Sequence, residues 1–233
     1  MESGPYSAQP ILHITKRGGR GLPIVKDDAD RYRFLKCLYF LNDANHPTPW
    51  ERDVDAISAG LHFERPDSWP GDREPYVDIL SYCLVENHFH ILLQEREEGG
   101  AGAYLQSLSN SLTQHFNSRY GGKDSIFGGR PDRRMVESER YLLYAFVYLN
   151  IKNTFEMVAD SIEQATADFD TYFPQAMEYQ FSSLPDVMGK RSSPIIVREI
   201  FADAFASPAE FRNFARDQMA RYRAFLAEFE DMM

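Results

Sequence analysis

The sequence predicts an α+β domain, a central and largely antiparallel sheet with helices covering one face, followed by a helical C-terminal appendage. Three observations lead to that class. Strand-like apolar runs occur at "ILHITK" (11–16), "YVDILSYCLV" (76–85) and "HFHILLQ" (88–94), the last two separated by the short "ENH" turn. The order strand, helix, paired strands, helix, helix lacks the alternation of a doubly wound parallel sheet. Beyond residue 155 the chain turns acidic, and its aromatic residues suggest short packed helices.

The elements follow in order. The first strand runs into the glycine-bearing turn "RGGRGLP". "DDADRYRFLKCLYFLND" (27–43) places Tyr32, Leu35, Leu38, Tyr39 and Leu41 at largely helical spacing, behind an acidic start that suits the positive end of a helix dipole. Residues 44–58 are polar and proline-containing and read as loop, and "ISAGLHFERP" (57–66) as a strand or hairpin edge. "GAYLQSLSNSLTQHFNSRY" (102–120) repeats apolar residues at helical spacing through Tyr104, Leu105, Leu108, Leu112 and Phe116. "SERYLLYAFVYLNIKN" (138–153) is a further helix, with Ser138 as its cap and Glu139 favourably placed in the dipole. The tail is expected to pack through Phe201, Phe205, Phe211, Phe214, Tyr222 and Phe225 as a stabilising appendage. Two units are therefore expected, residues 1–155 carrying the chemistry and 156–233 extending it.

Composition narrows the function classes. At 233 residues with 14% aromatic content, the chain has material for a sizeable core and is not a disordered segment. No apolar run approaches the roughly 20 residues needed to cross a bilayer, so no membrane partner is expected. "MESGPYSAQP" has neither the basic start nor the apolar stretch of a secretory signal, and a cytoplasmic, soluble protein is expected. Cys37 and Cys83 alone make neither a disulfide framework nor a thiolate metal site. "RGGRG" is a turn signal and matches neither glycine-rich phosphate-binding pattern.

The net charge of −10 is not the basic footprint usual in nucleic-acid binders, but the charge is unevenly spread. Residues 153–233 hold 14 acidic against 7 basic residues, and residues 1–152 hold 21 against 18. Within the latter, "RYGGKDSIFGGRPDRR" (119–134) carries Arg119, Lys123, Arg130, Arg133 and Arg134 against Asp124 and Asp132. That excess suits either a solvated loop or a phosphate-binding segment whose affinity depends on salt.

Two patterns carry chemistry. His88 and His90 alternate in a strand-like run, so both side chains share one face while Phe89 points to the other. Neutral imidazoles so placed suit a divalent metal or a hydrogen-bonded polar patch. Tyr144, Tyr148 and Lys152 fall on one helical stripe, which suits either core packing or a phenol set beside a charged group. A phenol attacks a phosphoryl group once a metal or cation stabilises the developing charge.

These stretches together resemble the HUH-type single-tyrosine transposases, including the REP-associated tyrosine transposases. "YCLVENHFHILLQ" is similar to the family's histidine-hydrophobic-histidine segment, "HITKRGGRGLPIVKDDADRYRFL" to its opening strand, turn and first helix, and "SLSNSLTQHFNSRYGGKDSIFGGRPDRRMV" to its following helix and G-x-[LI]-[WF]-x-x-R segment. "SERYLLYAFVYLNIKN" resembles the nucleophile helix, and "QFSSLPDVMG" (180–189) a segment of the family's tail. The resemblance spans roughly residues 11–155.

The resemblance implies a ferredoxin-like HUH domain, commonly dimeric, that cleaves and rejoins hairpin-bearing single-stranded DNA through a 5′-phosphotyrosine link. In that scheme Tyr148 is the nucleophile, His88 and His90 hold Mg²⁺ or Mn²⁺, and Arg17, Arg20, Arg119, Lys123, Arg130, Arg133 and Arg134 bind the DNA. Recognition is then expected from a folded hairpin or an unpaired guide, not from a helix reading a duplex groove. The sequence departs from the family at Lys152, where a Gln or Asn ligand is usual, and at Glu86, where proline is usual; both are expected to modulate the site, and their mutual pairing would favour a DNA-binding protein without catalysis. An alternative placement of "YLN" puts Phe146, which cannot attack, at the nucleophile position.

Overall fold

The computed structural model describes residues 9–51 and 63–232. Four strands form one antiparallel sheet in the order β2-β3-β1-β4: β1 is Ile11–Arg17, β2 Val77–Leu84, β3 His88–Glu95 and β4 Asp132–Met135. The α+β class and all three expected strands are present. β4 lies at an edge with all four residues exposed, a short and charged strand of the kind that blunts a sheet edge. The hairpin edge expected in 57–66 lies largely outside the described residues, and 63–66 have no regular structure.

The helices differ from expectation in one respect, because they cover both faces of the sheet. Alternation on β3 explains why. Phe89 and Ile91 point to one face, where Phe34 of helix α1 (Asp28–Phe40) packs on Phe89 and helix α2 (Gly100–Tyr120) completes the layer. His90 and Leu92 point to the other and are equally buried, so that face also needs a cover. Helix α3 (Glu139–Val147), a π-turn (Tyr148–Lys152) and helix α4 (Asn153–Val158) supply it. Asn150 on the π-turn donates to Ser81 Oγ of β2 at 3.0 Å, and Ser183 Oγ donates to Asn150 Oδ1 at 2.7 Å. These bonds satisfy a fully buried polar cluster that would otherwise be costly.

Local chemistry sets the helix starts. Asp27 caps α1 by accepting from the Asp30 amide at 3.1 Å, and Ser138 caps α3 by accepting from the Tyr141 amide at 3.1 Å. After β1 the chain turns tightly at Gly18, where a Cβ would sit 2.0 Å from the Leu22 carbonyl oxygen. The Gly18 amide donates to the Asn87 carbonyl at 2.7 Å, which ties the start of β3 to the end of β1.

The tail is helical as expected, but it does more than extend the domain. Helices α5 (Ile162–Ala167), α6 (Phe169–Glu178), α7 (Leu184–Val187), α8 (Glu199–Ala204), α9 (Pro208–Ala220) and α10 (Tyr222–Met232) follow. Phe201, Phe205 and Phe211 are buried together with Phe146, whose ring lies 5.2 Å from that of Phe201. Among the described residues no helix is long and apolar enough to cross a membrane.

Candidate active site

The register of β1 against β3 builds the site. Thr15 lies opposite His90 and Arg17 opposite His88, so these four side chains share a face. His13, two residues before Thr15, joins them. Its Nε2 lies 3.1 Å from His90 Nδ1, and Thr15 Oγ1 lies 2.9 Å from the same nitrogen. His13 Nδ1 lies 3.3 Å from the Tyr141 hydroxyl. Three histidine rings thus form a row, with His88 and His90 at a centroid distance of 4.9 Å and His90 and His13 at 5.3 Å.

Burial makes these imidazoles neutral near pH 7. Desolvation lowers His13 to about 4, against a smaller opposing pull from Asp132. His88 is also lowered to about 4, first by burial and then by the charges of Arg17 and Lys152. His90 is driven well below the ordinary histidine range by burial, with its histidine neighbours adding to the effect. A neutral imidazole is the ligand form. A proton on His90 Nδ1, donated to Thr15 or His13, leaves the lone pair on Nε2, and that buried nitrogen has no hydrogen-bond partner. These observations fit His88 and His90 to a cation through nitrogen. Among the described residues no group of three or more His, Cys, Asp or Glu is placed to hold a metal ion together.

Tyr148 meets this row from the helical side. Its ring lies 5.4 Å from that of His90 and 6.2 Å from that of His13, whereas Phe146 faces into the tail. Tyr148 opens the π-turn, a feature often found where a helix re-aims functional side chains. The expected stripe is altered at Tyr144, whose hydroxyl donates to Glu228 Oε2 at 2.8 Å. Tyr141 takes the place beside His13 instead. Phe229 of α10 stacks on Tyr148 at 4.7 Å and also contacts Tyr141 and His13.

Lys152 lies 4.9 Å from the Tyr148 ring centroid and pairs with Glu156 at 2.7 Å. The pairing considered with Glu86 is not formed. Glu86 is exposed in the β2–β3 turn, where its backbone carbonyl accepts from the Ile24 amide.

The seven expected DNA contacts divide by their ion pairs. Arg119 is held by Asp27 and Asp30 at 2.8 and 2.5 Å; its bonds hold the Asp27 carboxyl well below the usual range, while burial raises Asp30 and hydrogen bonds from the Lys26 amide, Tyr120, His115 and Arg119 more than offset it, so the Arg119 guanidinium is already engaged by carboxylates. Arg134 approaches Asp132 at 3.4 Å. Arg17, Arg20, Lys123, Arg130 and Arg133 form no ion pair among the described residues. Arg17 and Arg130 line a pocket of about 310 Å³ with His13, Thr15, His90, Asp132 and Tyr148. Arg20 and Lys123 border a separate pocket near Phe116.

His13, Thr15 and Phe229 escaped sequence reading. "HIT" contains the same two-residue alternation as "HFH", a usable signal for the first two, but their meeting depends on strand register. Phe229 carries no such local signal, because it reaches the site from the far end of the chain.

No family model and no curated protein matches this chain. A solved structure described as "Structure of the REP associates tyrosine transposase bound to a REP hairpin" is similar at 12% identity and a TM-score of 0.44, covering 84% of this chain and 90% of that one.

Proposed function

We propose that the protein cleaves and rejoins hairpin-bearing single-stranded DNA through a 5′-phosphotyrosine intermediate. The observation that carries this reading is the pocket in which Tyr148 meets His90 beside two unpaired guanidiniums, those of Arg17 and Arg130. The resemblance of the HFH strand and the tyrosine helix to HUH transposases supports it. In cleavage, the Tyr148 hydroxyl oxygen bonds to phosphorus as the P–O3′ bond breaks. The phenolic proton passes to water and the departing 3′ oxygen acquires one, leaving a free 3′-hydroxyl. Rejoining reverses these changes, so no external energy source is required.

Arg17 and Arg130 bind and orient the phosphodiester, and Tyr141 and Thr15 fix the imidazole row. His88 and His90 would hold Mn²⁺ or Mg²⁺; the bound cation supplies charge stabilisation at the phosphate. Nitrogen ligands suit Mn²⁺ better than the strongly oxygen-seeking Mg²⁺. A homodimer, implied by the family resemblance, belongs to the same proposal and is read by mass measurement in solution.

A second reading, DNA binding without cleavage, is favoured by Phe229 on Tyr148 and by the ammonium of Lys152 where the family has a ligand. Incubation with labelled hairpins and Mn²⁺ separates the two. Catalysis gives a covalent adduct that maps to Tyr148 and is lost in Tyr148→Phe with binding intact. Absence of an adduct across a broad hairpin set, with binding retained, selects the second reading; attachment to Tyr141 or Tyr144 overturns the assignment of the nucleophile.

A further inference from the structure

The sheet carries a second polar cleft on the face opposite Tyr148. It encloses about 890 Å³ between α2 and the β1–β4 edge, within the roughly 300–1,000 Å³ of small-ligand clefts. Lys16 and Arg133 line it from the strands, Gln106, Ser109 and Asn110 from α2, and Arg130 from the rim. Strand alternation puts Lys16 and Arg133 there, because Ile14, the register partner of Arg133, points away from His13 and Thr15.

The charge in this cleft is uncompensated. No acidic residue lines it, and Lys16, Arg130 and Arg133 form no ion pair among the described residues. Lys16 is only 9% exposed, and its ammonium finds the face of Phe127 at 4.9 Å in place of a carboxylate. The ammonium nitrogen itself is not among the buried atoms left without a hydrogen bond, so its charge faces the open cleft with no anion opposite it. The lack of a carboxylate here is conspicuous in a chain of net charge −10, where Arg119, Arg191 and Arg216 each hold one. Burial and the nearby Arg133 both lower the Lys16 pKa, as expected for cations crowded without a counter-ion.

The cleft is also connected to the candidate active site. Gly129 and Arg130 line both cavities and form their shared rim at the sheet edge. Gly129 has φ +154°, a conformation L side chains rarely adopt, and so favours glycine at that rim.

We propose that this cleft binds backbone phosphates of the unpaired DNA strand that continues past the scissile phosphate, around the β4 edge, with Lys16, Arg130 and Arg133 as its contacts. The assignment rests on the DNA-cleaving reading above and adds a second, non-catalytic strand site to it. No aromatic residue lines the cleft, so it holds backbone and does not stack bases.

The test compares hairpins with and without a four-nucleotide unpaired extension, by fluorescence anisotropy over a salt series. The extension strengthens binding to the wild type and steepens its salt dependence. In Lys16→Gln and Arg133→Gln that gain is lost, with the log–log salt slope shallower by about 0.7 for each phosphate contact removed. Arg133 is exposed on an edge strand, so its variant serves if Lys16→Gln fails to fold. An extension effect unchanged in Arg133→Gln overturns the proposal.

Amide chemical shifts with a free tetranucleotide separate this result from failure of the hairpin reading. Perturbation of Gly102, Gln106 and Asn110 without hairpin binding retains the cleft and removes the hairpin substrate. No perturbation there removes the cleft, whatever the hairpin does. The same shifts with inorganic phosphate alone, at equal concentration, replace the strand assignment by a free-anion site.

Discussion

The two faces of β3 are equally shielded from water but are built from different material. On one, Phe89 and Ile91 meet Phe34 and Tyr82 in an apolar layer. On the other, His90 faces His13, Thr15 and Tyr148, and farther along the sheet Ser81, Asn150 and Ser183 bond to one another. Apolar burial supplies stability, whereas polar burial fixes geometry and keeps imidazoles neutral. The contrast teaches that one strand can divide the work residue by residue, with Phe89 anchoring the fold and its neighbours holding the site.

Exchanging the roles of Phe89 and His90 is the strongest way to break this comparison. Phe89→Ala should lower unfolding stability by about 3–5 kcal/mol in a urea titration, through lost burial and the cavity it leaves. His90→Gln should cost about 1 kcal/mol, because a hydrogen-bonding end remains, yet eliminate adduct formation. Equal losses of stability would remove the distinction between the faces.

Acid sharpens it next. His13 has a folded pKa of about 4 against 6.5 unfolded, so the unfolded chain binds more protons between those values. Stability from neutral His13 is complete above pH 6.5 and is lost as pH falls toward 4, by an amount on the order of 3 kcal/mol. His13→Gln should flatten that part of the stability–pH curve; a curve of unchanged slope assigns the acid sensitivity elsewhere.

Smaller effects locate the limits of the polar face. Ser183→Ala leaves Asn150 and Ser81 short of a partner in a fully buried cluster and should cost about 1–3 kcal/mol in unfolding stability. Arg134→Ala, which breaks only an exposed 3.4 Å pair with Asp132, should change stability by less than about 1 kcal/mol. A larger change would show that the β4 edge belongs to the structural face.

The strands β1, β2 and β3 were legible because apolar side chains recur where burial requires them. The β4 segment "DRRM" was not, since an exposed edge strand has no apolar pattern to display. Helices over both faces were not legible, because the burial of His90 and Leu92 as well as Phe89 and Ile91 is a property of the fold that alternation alone does not report. Within the site, HFH and Tyr148 carried local signals. His13 required the strand register, Phe229 required the path of the whole tail, and the commitment of Arg119 to Asp27 and Asp30 required a helix-to-helix contact. Each of those is a long-range relation that no single stretch encodes.

The wide turn at Tyr148–Lys152 gives the Tyr148 helix a phase. Each residue of an ordinary helix advances about 100°, so one residue too many or too few rotates everything beyond it by that angle. Here the turn sets Tyr148 toward the histidines while Asn150 reaches Ser81 and Thr154 meets Cys83 at 3.9 Å. Deleting one residue between 149 and 152 would keep every chemical group of the site and swing the downstream anchors off the sheet. The competition between Tyr148 and Phe146 for the same place is accordingly a matter of angular timing along one helix, and an insertion there is expected to shift how the helix seats on the sheet without changing any side chain beside the histidines.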